Sequence, residues 1–269
     1  MRQRSSQIIH SCSILRITIA KPSSLTIGRQ QAHELGDYLR RRYLKLLTNN
    51  GSYHRNTIYV QSSDFDRTLM TGAHVLAGMF PPKDHQIWNE SLLWQAIPIH
   101  TLPLVQDGII ATRRPCPKYA KAFDEYEESD EIQSIIKSNQ ALFDYLETNV
   151  GQKVKTIFKV KTIYQALRLE SLKNFPLPDW TSKVFYPDSD MNKLANFSIK
   201  MEANTNTLAR LKSGFFLREM LDRFTQKMNN SLTPNRNLWI YSGHDSTIAN
   251  LLNALGLFEK PHIPIYASC

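Results

Sequence analysis

The 269-residue sequence lacks the features that mark several classes of protein. It has only three cysteines, and an odd number of thiols does not fit a disulfide framework. No run of about 18 apolar residues occurs, so no membrane-spanning helix is predicted. Phosphate-loop, zinc and RNA-binding motifs are missing, as are internal repeats and low-complexity tracts. What remains is a globular protein without a recognisable cofactor or metal motif.

The composition is that of a folded domain. Hydrophobic residues make up 42% of the chain and charged residues 21%, and the length allows a full core in one or two domains. The net charge of +9 raises the question of nucleic-acid binding. The basic residues are dispersed, however, and the only tight run, Arg40-Arg41-Arg42, lies in a predicted helix. We therefore expect no nucleic-acid partner, but a surface that attracts anionic substrates.

A strand-to-helix switch near residue 244 is the most informative feature. Leu238 to Tyr241 is an apolar, strand-like run, and Thr247 to Leu257 has helical spacing. His244 and Asp245 therefore lie at the carboxyl end of a predicted strand, where open α/β sheets bind ligands and helix starts favour anions. An imidazole beside a carboxylic acid can hold a phosphate and protonate its leaving group. A local role stays open, in which Asp245 or Ser246 caps the helix.

Periodicity elsewhere predicts alternating helices and strands, which is typical of an α/β fold. Since a predicted strand at Thr57–Gln61 leads directly into a helix, Gln61 falls at the same edge of the sheet as His244. The other predicted elements are helices at Leu25–Leu47, Asp66–Met79 and 118–175, a short strand within Trp94–Leu104, and a helical stretch from Trp180 to Met228 interrupted near Gly214.

Three segments carry the motifs of one family. Ser242–Thr247 is similar to S-[AG]-H-D-[ST]-T, and Gln61–Met70 to R-S-[ST]-D-x-D-R-T-L-M. The segment that begins at Leu25 is similar to L-T-x-x-G-x-x-Q. From about Ser24 to Cys269 the chain resembles the histidine acid phosphatases of the prostatic, lysosomal and insect venom type. The resemblance implies a phosphoglycerate mutase-like fold, α/β with a mainly parallel sheet flanked by helices and a smaller helical cap.

The resemblance also implies a division of the chain into two domains. Residues 1–117 and 229–269 would form the α/β core, in which residues 1–23 are a divergent head, and residues 118–228 would form the mostly helical cap and its return to the core. Within the head, Ile14–Ala20 is strand-like and would take the place of the family's first strand. Its basic start and interrupted apolar region do not make a convincing signal peptide.

For function, the resemblance implies hydrolysis of phosphate monoesters at acidic pH through a phosphohistidine. His244 would bind the phosphate and Asp245 would be the proton donor, without a metal or cofactor. Small phosphate esters or inorganic phosphate would be the ligands, the location secreted or lysosomal, and the assembly a homodimer. Four sequons fit a glycoprotein; they begin at Asn50, Asn89, Asn196 and Asn229.

The sequence departs from the family pattern at the reacting centre. The R-H-G-x-R-x-P motif, which would supply the nucleophilic histidine and two phosphate-binding arginines, does not occur; His10 is the only histidine in the head and has no such flanks. Gln61 replaces a third phosphate-binding arginine, and Arg67 matches an arginine that we expect to be mainly structural. Each lost electrostatic contact typically costs roughly 10²–10³ in rate, so we expect this chain to be inactive.

Three interpretations remain open at this stage. The chain is an acid phosphatase, a non-catalytic relative that keeps an anion-binding cleft, or an incomplete gene product. The third draws on the family's longer C-terminal region and on cysteine partners that are missing here for Cys116 and Cys269; the partner of Cys269 would fall near Leu169.

A few single residues have two interpretations each. Asp64 and Asp66 are expected to be a helix cap and a partner for Arg67, rather than metal ligands. His100 either lines the cleft or is a buried, hydrogen-bonded histidine.

Overall fold

The computed structural model describes residues 22–47 and 51–262, so the strand-like head segment, Asn50 and Cys269 lie outside it. None of the helices in this part of the chain is long and apolar enough to cross a membrane. The described residues form nine α-helices and three strands: α1 Pro22–Arg42, β1 Ile58–Ser63, α2 Asp66–Met79, β2 His100–Leu102, α3 Pro117–Glu127, α4 Asp130–Ser138, α5 Gln140–Val150, α6 Ile157–Leu172, α7 Asp190–Met201, α8 Asn206–Met228, β3 Leu238–Ser242 and α9 Asp245–Ala254.

The described strands form one parallel sheet in the order β2-β1-β3. Ile58 pairs with Leu238 and Ser62 with Ser242, while the shorter contact with β2 begins at Gln61. The prediction that the strands at Thr57–Gln61 and Leu238–Tyr241 share a parallel sheet flanked by helices is confirmed.

One face of the sheet is apolar and packs against helices. Ile58 and Val60 of β1 are buried in a cluster with three residues of α2 and its C-terminal end: Leu76, Met79 and Phe80. Leu238 and Ile240 of β3 pack against the same cluster. Because side chains alternate along a strand, these even-numbered positions share one face, and the odd-numbered positions point to the other.

Helices α1 and α2 cross so closely that glycine is required at the contact. A Cβ atom at Gly36 of α1 would overlap the backbone oxygen of Val75, and one at Gly78 of α2 would overlap the backbone oxygen of His33. Backbones that approach this closely leave no room for a methyl group, so the two glycines set the position of α2 on the sheet.

The opposite face of the sheet carries aromatic residues that contact the second half of α8. The ring of Phe216 meets that of Tyr241 edge-on, at 4.7 Å between centroids. The hydroxyl of Tyr241 donates to Glu219 at 2.6 Å, and Arg223 pairs with the same carboxylate at 2.6 Å. Burial is the main reason that the pKa of Tyr241 is raised, with the charge of Glu219 acting in the same direction.

The chain groups into two compact units. The sheet unit contains Pro22–Pro115 and Lys212–Leu251, and the helical unit contains Cys116–Leu211 and residues 252–262. The helical unit has its own apolar core, which includes Ile132, Phe143, Leu146, Ile157, Val160, Leu167, Met191 and Leu208. The proposed boundaries of a cap at residues 118 and 228 stay a prediction.

Several predicted boundaries were wrong by a few residues. Helix α1 ends at Arg42 rather than Leu47, and a short 3-10 turn, Leu44–Leu46, follows it. Helix α9 begins at Asp245 rather than Thr247 and ends at Ala254. Strand β1 extends to Ser63, because its terminal serines are buried and their hydroxyls are hydrogen-bonded within the protein.

The predicted interruption at Gly214 is also wrong. Helix α8 runs without a break through Gly214. The helical stretch is instead interrupted between Lys183 and Asp190 and again between Met201 and Asn206. The hydroxyl of Thr205 accepts the backbone N–H of Leu208 and so starts the new helix. Glycine lowers helix propensity by only about 1 kcal/mol, which the packing of the neighbouring Phe216 offsets.

The helix crossing is tested by two identical substitutions. We expect Gly78→Ala to lower the free energy of unfolding by about 1–3 kcal/mol, since the new methyl group overlaps α1. Gly28→Ala, in the same pair of helices but with no atom within 4 Å of the new Cβ, should raise it by roughly 0.5–1 kcal/mol. Urea unfolding followed by circular dichroism measures both changes, and equal effects would contradict the close approach.

Candidate active site

His244 lies just beyond the carboxyl end of β3, beside the end of β1. Since Ser62 pairs with Ser242, the next residues of the two strands, Ser63 and Gly243, are level, and His244 follows. The Nε2 atom of His244 is 2.9 Å from the hydroxyl oxygen of Ser63. The sheet thus joins two side chains that are 181 residues apart in sequence.

Gly243 makes the turn between β3 and α9. A Cβ atom there would lie 2.8 Å from a methyl carbon of Ile110 and 2.9 Å from the hydroxyl of Thr247. That hydroxyl accepts the backbone N–H of His244 at 3.0 Å and donates to the carbonyl oxygen of Ile110 at 2.7 Å. The tight turn therefore fixes the backbone of His244 on two sides.

The imidazole of His244 is held between a guanidinium group and a hydroxyl group. A guanidinium nitrogen of Arg67 is 3.2 Å from Nδ1. Because guanidinium only donates, this contact assigns Nδ1 as an acceptor and places the proton of the neutral ring on Nε2. Nε2–H then donates to Ser63. The ring of Phe65 meets the imidazole edge-on at 5.0 Å, and the guanidinium of Arg67 lies over that same ring.

The hydrogen-bond chain continues into the start of α2. The hydroxyl of Ser63 is 2.8 Å from that of Thr68, which also reaches the carbonyl oxygens of Ser63 and Phe65. If Nε2–H of His244 donates to Ser63, then Ser63 donates to Thr68 and Thr68 to a carbonyl, so each group has a partner. The buried hydroxyl of Ser242 ties β3 to the same turn by donating to the carbonyl oxygen of Thr68 at 2.7 Å.

The surroundings of His244 favour its neutral form. Burial is the main cause that lowers the pKa of this imidazole below its ordinary value, and the nearby charge of Arg67 adds to the effect. The charge of Asp245 opposes it, that of Arg113 lowers the pKa further, and that of Asp107 opposes it again. Burial therefore decides the direction of the shift, while two arginines and two carboxylates around the ring act against each other.

Asp245 is the first residue of α9 and lies partly buried beside His244. One of its carboxylate oxygens accepts the backbone N–H of Ser246 at 2.7 Å. The first N–H groups of a helix lack partners within the helix, so this end attracts negative charge. A carboxyl group at this position is also available as a proton donor next to any anion held there.

A buried carboxylate shapes the loop opposite the turn. Asp107 is only 1% exposed, and its two oxygens accept the backbone N–H groups of Ile109, Ile110 and Ala111 at 2.8–2.9 Å. This arrangement positions the carbonyl oxygen of Ile110 that receives the hydroxyl of Thr247. The loop and the β3–α9 turn therefore support each other.

Gln61 lies on the face of β1 that also carries Ser63, two residues before the strand ends. It is 7% exposed and pairs in register with His100 on one side and Tyr241 on the other. Since side chains at i and i+2 of a strand share a face, Gln61 neighbours the hydroxyl that contacts His244. Its amide provides neutral donors at this buried place, where an arginine would provide charge.

Other predicted residues are placed as follows. His100 is exposed and stacks on Tyr59 at 4.7 Å, so the alternative of a buried histidine is wrong. The N-cap of α2 is Phe65, so the prediction that Asp64 caps this helix is wrong. The predicted partner of Arg67 was Asp66, but its guanidinium contacts His244.

The sequon asparagines differ in accessibility. Asn89 and Asn229 are exposed, whereas the amide of Asn196 is partly buried and donates to Asn192 within α7. Asn50 falls outside the described residues.

Sequence reasoning missed four residues that support the site. Ser63, Thr68, Asp107 and Thr247 are ordinary polar residues by composition, and their roles follow only from the pairing of distant segments. One local signal was available, because Asp107-Gly108 is a frequent turn sequence in which the carboxylate accepts N–H groups of the following residues. Across residues 22–47 and 51–262, no group of three or more histidine, cysteine or acidic residues has the arrangement of a metal site.

Comparison with known proteins places the chain in a superfamily of phosphatases. Residues 17–266 match the family model described as histidine phosphatase superfamily (branch 2). The chain is 37% identical over 248 residues to lysosomal acid phosphatase of Xenopus laevis and 34% identical over 246 residues to prostatic acid phosphatase of Homo sapiens. Each alignment covers 90% of this chain, but only 56% and 62% of those relatives.

Solved structures support the fold. A phytase of Klebsiella sp. ASR1 superposes with a TM-score of 0.62 at 16% identity, over 93% of this chain and 68% of the phytase. Hafnia alvei phytase in complex with tartrate gives 0.60 at 16% identity, over 90% and 67% of the two chains. The family model spans the sheet, both strand-to-helix turns and the motifs around Gln61 and His244, and relatives of similar sequence are named acid phosphatases. The chain belongs to the histidine phosphatase superfamily, branch 2.

Proposed function

We propose that the site around His244 binds the phosphate group of small phosphate esters, or inorganic phosphate, and that this chain hydrolyses such esters at most at trace rates. The observation that carries the proposal is the position of the His244 imidazole, which lies between Arg67 and Ser63 at the start of α9. An anion at this point meets a helix N-terminus and a guanidinium group, both of which stabilise negative charge.

The binding step follows from the charges and donors of the site. A phosphate near α9 would accept backbone N–H groups at the helix start and would draw on the guanidinium of Arg67, whose side chain is exposed. Arg113 is exposed as well and adds positive potential at His244. The anion would also stabilise the imidazolium form, so His244 would take up a proton as phosphate binds.

The chemical step has an acid but no assigned nucleophile. In this proposal Asp245, next to the bound anion, would protonate the leaving oxygen of an ester. A phosphohistidine mechanism also needs a second imidazole to attack phosphorus, and the R-H-G-x-R-x-P motif that would supply it occurs nowhere in the 269 residues. Gln61 does not provide the charge of the arginine it replaces. Binding without efficient turnover is the function that these residues support best.

The non-catalytic alternative differs only in what the cleft is used for. A protein that binds phosphate esters without turning them over would act as a pseudophosphatase, and a phosphate site that lacks its nucleophile favours this second candidate. The names of the relatives support a lysosomal or secreted location for this chain. A homodimer, and glycosylation at the exposed Asn89 and Asn229, remain parts of the same proposal.

The rate of hydrolysis tests the catalytic part. The purified chain should hydrolyse p-nitrophenyl phosphate at pH 5 on the order of 10⁴-fold or more slowly than human prostatic acid phosphatase assayed in parallel, because the nucleophile and charged donors are missing. Asp245→Asn is the matched control, since it removes the acid and keeps the shape of the side chain. Robust turnover that disappears in Asp245→Asn would contradict the proposal.

Phosphate affinity tests the binding part. Replacing Arg67 by Gln should weaken binding of phosphate or vanadate about tenfold, because a charge-assisted hydrogen bond is worth roughly 1.5–3 kcal/mol and part of it is lost to solvent. Arg67→Lys should keep an intermediate affinity, since it retains the charge without the fork. Isothermal titration calorimetry measures these constants. Arg29→Gln, an exposed arginine of α1, is the control for net charge, and equal losses in both variants would contradict a role for Arg67.

The pH response of His244 tests its environment. The imidazole should titrate below its ordinary value of 6.5 in the free protein, and saturating phosphate should move the midpoint upward. Two-dimensional NMR of the ring protons follows this titration, with His244→Gln to assign the signal. A free-protein midpoint at or above 6.5, or no upward shift with phosphate, would contradict the description of the site.

The same shift makes the stability depend on pH. Because the folded pKa of His244 lies below the unfolded one, the unfolded chain binds the proton first as the pH falls. The stabilisation is complete above about 6.5 and is lost progressively as the pH falls toward the lower, folded value. Urea unfolding between pH 7 and pH 5 measures this effect. The free energy of unfolding of His244→Gln should fall less over this range than that of the unchanged protein.

A further inference from the structure

A second cavity lies beside β1, and none of His244, Ser63 and Arg67 lines it. Its volume is about 280 Å³, and it borders β1 from Ile58 to Val60. Val60 is the lining residue of β1 closest to Ser63, and three steps along the extended strand, roughly 10 Å, separate the two. Residues that line the cavity include Tyr53, Arg55, Ile97, Pro98, His100 and Arg236.

The charged side chains that line this cavity are both positive. Arg55 and Arg236 both line it, and none of the described residues in its wall is acidic. Both guanidinium groups act on the same hydroxyl: burial raises the pKa of Tyr53, and the charges of Arg236 and Arg55 partly oppose that rise. The two cations therefore lie near one point without a carboxylate between them.

Arg236 has an unused donor. Its Nε atom is buried and has no hydrogen-bond partner in the part of the chain that the structure describes. The guanidinium packs over the ring of Tyr59 at 5.1 Å, and the backbone is anchored, because Lys227 donates to its carbonyl oxygen and to Asn237. A buried N–H group without a partner is unfavourable, and an anion in the cavity would satisfy it.

The edge of β1 adds further donors. Strand β2 pairs with β1 only from Gln61 onward, so the stretch Ile58–Val60 has no strand partner on that side within residues 22–47 and 51–262. Along a parallel strand, alternate residues direct their N–H and C=O groups to each edge. This open edge borders the cavity. Pro98, which also lines the cavity, has no backbone N–H group, so the backbone donors there come from β1.

We propose that this cavity, which we call the Arg55–Arg236 site, binds a small organic oxyanion with a carboxylate or phosphate-type group. The two guanidinium groups and the edge of β1 would hold the charged group. Tyr53, Ile97 and Pro98 would contact its carbon body, and about 280 Å³ is enough for a single ring with one acidic substituent. This inference does not depend on the function proposed for His244.

Phenylphosphonate is a suitable probe, because it is an oxyanion with an aromatic body and has no ester bond to hydrolyse. The test uses the full chain with His244→Ala, so that binding at the first site is weakened and the second can be measured by calorimetry. One binding event should remain. Arg236→Gln and Arg55→Gln should each weaken it about tenfold, as expected for one charge-assisted contact.

Arg29→Gln is again the matched control, since it makes the same change of charge at an exposed site of the sheet unit and should leave the affinity unchanged. Circular dichroism verifies folding; if Arg236→Gln does not fold, the exposed Arg55 decides the question alone. Loss of all binding in His244→Ala, unchanged affinity in the folded Arg55 and Arg236 variants, or an equal loss in Arg29→Gln would each overturn the proposal.

Discussion

The parallel pairing of β1 with β3 is the constraint on which the candidate active site depends. It sets Ser62 beside Ser242, and every contact of His244 with β1 or α2 follows from that register. A shift by one residue would turn each side chain of β3 to the other face and separate Ser63 from the imidazole. The apolar cluster behind the sheet opposes such a shift, because Ile58 and Val60 are buried in it and Ile240 packs against it.

The surroundings of His244 explain why this histidine is neutral between a guanidinium group and two carboxylates. Removing an imidazole from water favours the uncharged form, and a guanidinium group at 3.2 Å adds repulsion. Asp245 and Asp107 oppose this, but one is on the helix start and the other already accepts three backbone N–H groups. The result is a neutral ring that donates from Nε2 in the free protein. We expect it to take up a second proton when an anion binds beside it.

Much of the sheet could be predicted from sequence, because its strands are short apolar runs that end in polar turns. The boundaries of α2 and the place of His244 followed from such patterns. The ends of β1 and α9 did not, since buried serines resemble loop residues until their distant partners are known. For the same reason the role of Arg67 was missed: its partner is 177 residues away, and a local pattern assigns an arginine to the nearest acid.

The arrangement of the chain also sets an order of folding during synthesis. About 180 residues separate Ile58 from its partner Leu238, and the whole stretch Cys116–Leu211 of the helical unit is made between them. At roughly 5–20 residues per second, β1 leaves the ribosome on the order of ten to forty seconds before β3. The contiguous helices, which depend on local contacts, can form in that interval. Until β3 is made, the edge of β1 that pairs with it has unpaired N–H and C=O groups. Nascent chains are therefore most prone to misassembly, and most accessible to chaperones, during this interval.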